Sequence, residues 1–303
     1  MVILTTQKGH TLSSHQGAVN VIKYSSNGEY CLSGGMDRTI KIWNPNLPSS
    51  RDRLIQTFTG HGWEVQDIDL SCDNTKFVSG GGDKAVFLWD VATCLVSRKL
   101  TGHTQKINCV HFNADSSVIA SGSYDTTVRL WDCRSQSRLP IQILEEGKDS
   151  IISLRILGHE ILTGSVDNKV RHYDLRMGKL ATDDLPASVT NVAFTKDANC
   201  FLVSSLDSTI RLLDKADGTL LNHFNAHTNV DYKIAAVTNF DDSQVITGSE
   251  DGQVYIYDLL EGTVLTKLAN NSKRVTSVAA HPSEPQLLTS SFDGVITVWE
   301  APA

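Results

Sequence analysis

Short apolar runs, rich in β-branched and aromatic side chains, alternate along the chain with tight polar turns. Residues 65–70, 75–80, 85–89 and 95–100 are four such runs in succession, and each reads as a β-strand. The turns between first and second strands carry residues that tolerate sharp reversals: Asn27-Gly28, Asp73-Asn74, Asp115-Ser116, Asp197-Ala198, Asp241-Asp242 and Pro282-Ser283. One stretch recurs throughout. Residues 121–132 hold a polar turn between two apolar strands, the second ending in Trp-Asp. Residues 33–44 and 79–90 are close copies, 163–174, 247–258 and 289–300 are looser, and 203–214 is the most degenerate.

The repeat has a fixed internal ruler. Its turn acids are Asp37, Asp83, Asp125, Asp167, Asp207, Asp251 and Asp293. Six residues after each stands Trp43, Trp89, Trp131, Tyr173, Leu213, Tyr257 or Trp299, and these strand ends are spaced 46, 42, 42, 40, 44 and 42 residues apart. A period in the low forties with four strands per unit predicts an all-β, seven-bladed WD-repeat β-propeller. The whole chain, 1–303, then forms one domain. The long first period is absorbed by residues 44–53, a surface loop between third and fourth strands with two prolines. After Trp299 too few residues remain for a fourth strand, whereas residues 8–12 match a fourth strand such as 98–100. The N-terminal strand is therefore expected to pair into the last blade and close the ring, since an open ring would leave a sticky edge.

Composition narrows the function. A net charge of −7 argues against a surface built to grip nucleic-acid phosphates. The six cysteines (Cys31, Cys72, Cys94, Cys109, Cys133, Cys200) form no Cys-x-x-Cys and occupy unrelated positions in the repeats, as in a reduced intracellular compartment. The N-terminus lacks the charge and apolar length of a signal peptide, and no apolar run reaches membrane-spanning length. The histidines and cysteines show no metal-ligand spacing, and the glycines at 34–35 and 80–82 are turn residues without a following Gly-Lys-Ser/Thr, so no cofactor is expected.

Three units carry what looks like catalytic chemistry. They are His15, Ser33, Asp37, Trp43; His61, Ser79, Asp83, Trp89; and His103, Ser121, Asp125, Trp131, with 22 residues from each His to its Asp. A Ser–His–Asp set suggests a hydrolase. Repetition argues against it, because an active site needs no copies, and no Gly-x-Ser-x-Gly elbow is present. The expected role is a buried network in which the indole donates to Ser, Ser to imidazole and imidazole to Asp. His227 stands at the equivalent place in the sixth unit. The fourth, fifth and seventh units lack the His, and the fourth and fifth blades are expected to rely on apolar packing.

Without enzymatic chemistry, function should reside in a surface. The turn carrying each acid and the loop carrying each His must share one end of the ring, around the central channel. Met36, Trp63, Glu64, Lys106, Tyr124, Ile152, Val166, Leu206, Lys233, Glu250, Arg274 and Phe292 fall on that rim. Apolar side chains at turn tips among mixed charges suit protein recognition, with Trp63 as a candidate anchor. At the other end, Trp131-Asp132-Cys133-Arg134, echoed by Tyr173-Asp174-Leu175-Arg176, resembles the Trp-Asp-x-Arg box by which some WD proteins dock on the adaptor of cullin-4 ubiquitin ligases. Arg134 and Arg176 would make that contact. The alternative is pairing with a neighbouring acid.

Three stretches carry a closer likeness: 80–91, 164–178 and 204–215, the last with its degenerate ending Leu212-Leu213-Asp214-Lys215. They resemble the mitogen-activated protein kinase organizer family of seven-bladed WD-repeat scaffolds, and the similarity covers nearly the whole chain. The resemblance implies a non-enzymatic, monomeric ring within larger assemblies, cytoplasmic and nuclear. It implies binding of extracellular-signal-regulated kinase cascade components and splicing factors of the catalytic spliceosome. Links to a hypoxia-sensing prolyl hydroxylase and to cell-polarity proteins are also implied; from the charge and the lack of a membrane-spanning run, no direct contact to nucleic acid or membrane is expected. The chain departs from the family at its ends, with a short N-terminal lead and no acidic tail after Trp299.

Overall fold

A computed structural model describes residues 7–47, 53–269 and 273–300. Within them, 28 strands form seven antiparallel four-stranded sheets. Blade two shows the plan: strands a to d are Val65–Leu70, Lys76–Gly81, Ala85–Asp90 and Leu95–Thr101, hydrogen-bonded in that order. Blades one to six span 19–59, 65–101, 107–144, 151–184, 189–224 and 236–269. The inner strands of successive blades touch in a cycle, and the strands Val19–Tyr24 and Val275–Ala280 meet to complete it.

The last sheet is the expected latch. Gln7–Ser13 pairs antiparallel with Val295–Glu300, from Gln7 opposite Glu300 to Ser13 opposite Val295. Leu12 sinks between Ile296 and Val298 in a cluster that continues into Val19, Ile22 and Trp43 of blade one. The first and last blades therefore share one core. Of the expected long loop, Asn44 N–H donates to Arg53 C=O at 2.8 Å, and residues 48–52 lie outside the described residues. So do the N-terminal lead, 1–6, and the end of the chain, 301–303.

Strand composition follows position. The b and c strands are sandwiched between neighbouring blades and bury nearly every side chain, whereas strand d of blade two exposes every second side chain, half-buries Val96 and Arg98 and buries only Leu100. Between blades one and two, Phe58 meets Phe77 edge-on with centroids 4.9 Å apart, and Phe77 stacks on Trp89 at 5.6 Å. Each such aromatic removed from water contributes about 2–3 kcal/mol. The constant six-residue ruler also has a local cause. The residue after each turn acid has positive φ: Arg38, Lys84, Thr126, Asn168, Ser208, Gly252 and Gly294. The acid stabilises that reversal by accepting the backbone N–H two residues on, as Asp37 does from Thr39.

Candidate functional site at the turn end of the ring

The three tetrads close as expected. His61 Nδ1–H donates to Asp83 Oδ2 at 2.6 Å, Ser79 Oγ–H donates to His61 Nε2 at 2.7 Å, and Trp89 Nε1–H donates to Ser79 Oγ at 2.7 Å. The first set has 2.8, 2.7 and 2.7 Å, and the third 2.8 Å throughout. Ser33, Ser79 and Ser121 are fully buried, with the hydroxyl spent inside the blade, so none presents a nucleophile to solvent. Burial lowers the affinity of His61 for a proton, against the pull of Asp83, and keeps the imidazole neutral. Burial opposes the charge on Asp37 and Asp125, yet the bonds from His15, His103, Thr39 and Thr127 outweigh it and hold both carboxyls well below the usual range.

The fourth and fifth blades, expected to be held mainly by apolar packing, also carry a polar pair at the turn acid. In blade four Arg171, four residues after the turn acid, curls back to Asp167 at 2.6 Å and donates to Ser165 Oγ at 2.9 Å. Blade five repeats this with Arg211, Asp207 and Ser205. In blade six Tyr255 holds that position and donates to Asp251 at 2.8 Å. His227 is not the equivalent of the tetrad histidines. Its Nδ1 lies 3.1 Å from the Tyr257 hydroxyl, and it makes no bond to Asp251. In blade seven the indole of Trp299 donates to Thr289 at 2.9 Å.

The predicted rim residues divide by environment. Met36, Trp63 and Tyr124 are exposed, Trp63 at 61 % and Tyr124 at 54 %. Trp63, Gly82, Lys84, Gln105, Lys106 and Tyr124 line one open groove between blades two and three. The ammonium of Lys106 sits 5.6 Å from the Tyr124 ring centroid. Glu64, Ile152, Val166, Leu206 and Phe292 are half-buried. Glu250 is committed to its own loop, where Oε1 accepts from Val230, Asp231 and Tyr232 N–H at 2.8, 2.8 and 3.1 Å. Lys233 reaches across the ring to donate to Asn108 C=O at 2.8 Å. Arg274 is clamped between Tyr232 and Phe292. Lys84 and Tyr232 were missed by the sequence pattern, although Lys84 directly follows a turn acid. Arg134 and Arg176 are exposed at the opposite end, where Arg134 reaches Asp115 at 3.7 Å.

The seven sheets, the turn acids and the latch define a WD-repeat β-propeller. A family profile described as "IFT122 first beta-propeller" matches residues 47–300, and "WD domain, G-beta repeat" matches residues 6–44. The chain is 47 % identical over 289 residues to WD repeat domain-containing protein 83 of Rattus norvegicus, covering 95 % of this chain and 90 % of that one. The Homo sapiens protein of the same name is 47 % identical (97 % and 91 % covered), and the Dictyostelium discoideum homolog 38 % (95 % and 96 %). The chain belongs to the WD repeat domain-containing protein 83 family.

Proposed function

We propose that this propeller is a non-enzymatic scaffold that binds mitogen-activated protein kinase cascade components and splicing factors, in cytoplasm and nucleus. The observation that carries the reading is the groove between blades two and three. Two large exposed aromatics, Trp63 and Tyr124, stand beside Lys84 and Lys106 on a ring whose polar tetrads are sealed inside. Exposed aromatics rimmed by charge are the usual anchors of protein recognition. The particular partners come from the likeness of residues 80–91, 164–178 and 204–215 to the kinase organizer family.

Affinity capture with the full chain, followed by direct binding to the purified partners, tests this. Kinase cascade components or splicing factors should bind the wild type. They should bind Trp63→Asp/Tyr124→Asp at least about tenfold more weakly at an unchanged melting temperature. Equal binding by the double variant would remove the groove from the mechanism. The exposure of Arg134 and Arg176 at the opposite end favours a second reading, docking on the adaptor of cullin-4 ubiquitin ligases. That reading requires Arg134→Ala to abolish adaptor binding.

A further inference from the structure

The mouth of the axial channel carries positive charge, and among the described residues no carboxylate lines the pocket there. Arg274 lies between two rings, its guanidinium carbon 3.5 Å from the centroid of Tyr232 and 3.6 Å from that of Phe292. Both faces of the plane are covered, while among the described residues its N–H donors have no hydrogen-bond or ion-pair partner. The adjoining pocket is completed by Asn20, Gln66, Lys233 and Thr276. It is thus lined by two cations, two amides and the hydroxyls of Tyr232 and Thr276, the latter donating to Val19 C=O, and no carboxylate lines it. Lys233 spends one of its three hydrogens on Asn108 C=O.

Two neighbouring acids are turned towards backbone amides. Glu250 accepts the three amides of the loop that leads to Lys233. Asp67 accepts from the N–H groups of Ile68 and Val110 at 3.0 and 3.1 Å. A second pocket shares Asn20, Gln66, Lys233 and Thr276 with the first and runs on to Lys23 and Arg155, with Asp67 the one carboxylate in its lining. In a chain of net charge −7, cations outnumber acids along this pocket, with Lys23, Arg155 and Lys233 against Asp67.

We propose that this mouth binds a phosphomonoester dianion. The edge of Arg274 offers two parallel N–H donors to two oxygens, Lys233 supplies a second charge, and the Gln66 amide and the one Asn20 Nδ2 hydrogen not spent on Val65 C=O donate to the remaining oxygens. A single carboxylate would leave one of the two cations unanswered. Because Tyr232 and Phe292 already fix the guanidinium, little side-chain freedom is lost on binding. The dianion can be free or carried on a phosphoserine of a partner, since both present the same group. This site does not depend on the groove at Trp63 and Tyr124, and its readout is anion binding.

Calorimetric titration of the full chain at low ionic strength tests it, with inorganic phosphate, a phosphoserine peptide and the unphosphorylated peptide as probes. Phosphate should bind. Arg274→Gln should weaken binding by about tenfold or more, and Arg274→Lys, which keeps the charge and loses the fork, by a smaller factor. Tyr232→Leu, which uncovers one face of the guanidinium, should also weaken it, whereas Arg138→Gln, on an exposed loop elsewhere, should not. Tighter binding of the phosphopeptide than of phosphate, with none by the unphosphorylated peptide, assigns the group to a partner. The reverse order assigns a free anion, and both results support the site. Failure of phosphate and phosphopeptide to bind overturns the proposal, as does binding that survives both Arg274→Gln and Tyr232→Leu.

Discussion

Single histidines in this ring are distinguished by what stands opposite them. His15, His61 and His103 each have a serine on Nε2 and an aspartate on Nδ1. His227 has a tyrosine hydroxyl on Nδ1, and its Nε2 is buried without a protein partner among the described residues. Burial pushes its pKa down to about 4, against the weaker pull of Asp251 and Asp207. In the unfolded chain the same imidazole titrates near 6.5. The unfolded state therefore takes the proton first as pH falls. The contribution is complete above pH about 6.5, declines between about 6.5 and 4, and is gone below, a loss of roughly 3 kcal/mol. His227→Leu removes this titration while Tyr257 still accepts the backbone N–H of residue 227. Urea midpoints at pH 7 and pH 4.5 should therefore differ more for the wild type than for the variant. Equal differences would show that His227 titrates normally.

At the level of the blade, the turn acid needs a partner, and in blades one to six the fold supplies it from one of two places, a histidine on the preceding loop or the residue four after the acid, whereas in blade seven Asp293 accepts from Ser291 Oγ and the Val295 N–H. Arg171 and Asp167 are nearly sealed, with side chains 3 % and 9 % exposed, while Arg211 and Asp207 are 14 % and 25 % exposed. Removing one partner of a sealed pair strands the other charge, so Arg171→Leu should cost about 3 kcal/mol. Arg211→Leu, with water at hand, should cost about 1 kcal/mol. Chemical denaturation of the two variants checks the order, and a larger loss for Arg211→Leu would refute it. The blade itself was legible in the sequence because the six-residue ruler from acid to strand end is set by one turn and one strand length. The tetrads were legible because the 22-residue separation repeats. Arg171 and Arg211 were not, since a charged residue in strand c reads as an outward side chain. Whether it curls back depends on an imidazole missing from another loop. His227 was misplaced because it stands 24 residues from its acid rather than 22, which shifts the ring towards Tyr257. The reach of Lys233 to Asn108, 125 residues away, leaves no trace in any local period.

For the whole molecule the decisive contact is between the two ends of the described chain. Six sheets are each made of consecutive strands, and the seventh borrows its outer strand from residues 7–13. Without that strand, Val295–Glu300 becomes an unpaired edge, and Ile296 and Val298 lose Leu12 as a neighbour. Burial of Leu12 alone is worth about 2 kcal/mol, and the lost ladder adds about 1 kcal/mol for each bond that its ordering entropy does not offset. In a chain of this length, each kcal/mol moves the melting temperature by about 2 °C. Deleting residues 1–12 should therefore lower the melting temperature by several degrees or more and raise light scattering as the freed edge pairs between molecules. Leu12→Asp keeps the chain but buries a charge in the shared core, so it should reproduce most of the melting shift. A deletion that melts with the wild type would mean that the blades hold the ring closed without the latch. If Leu12→Asp alone were silent, the ladder rather than the packing would carry the closure.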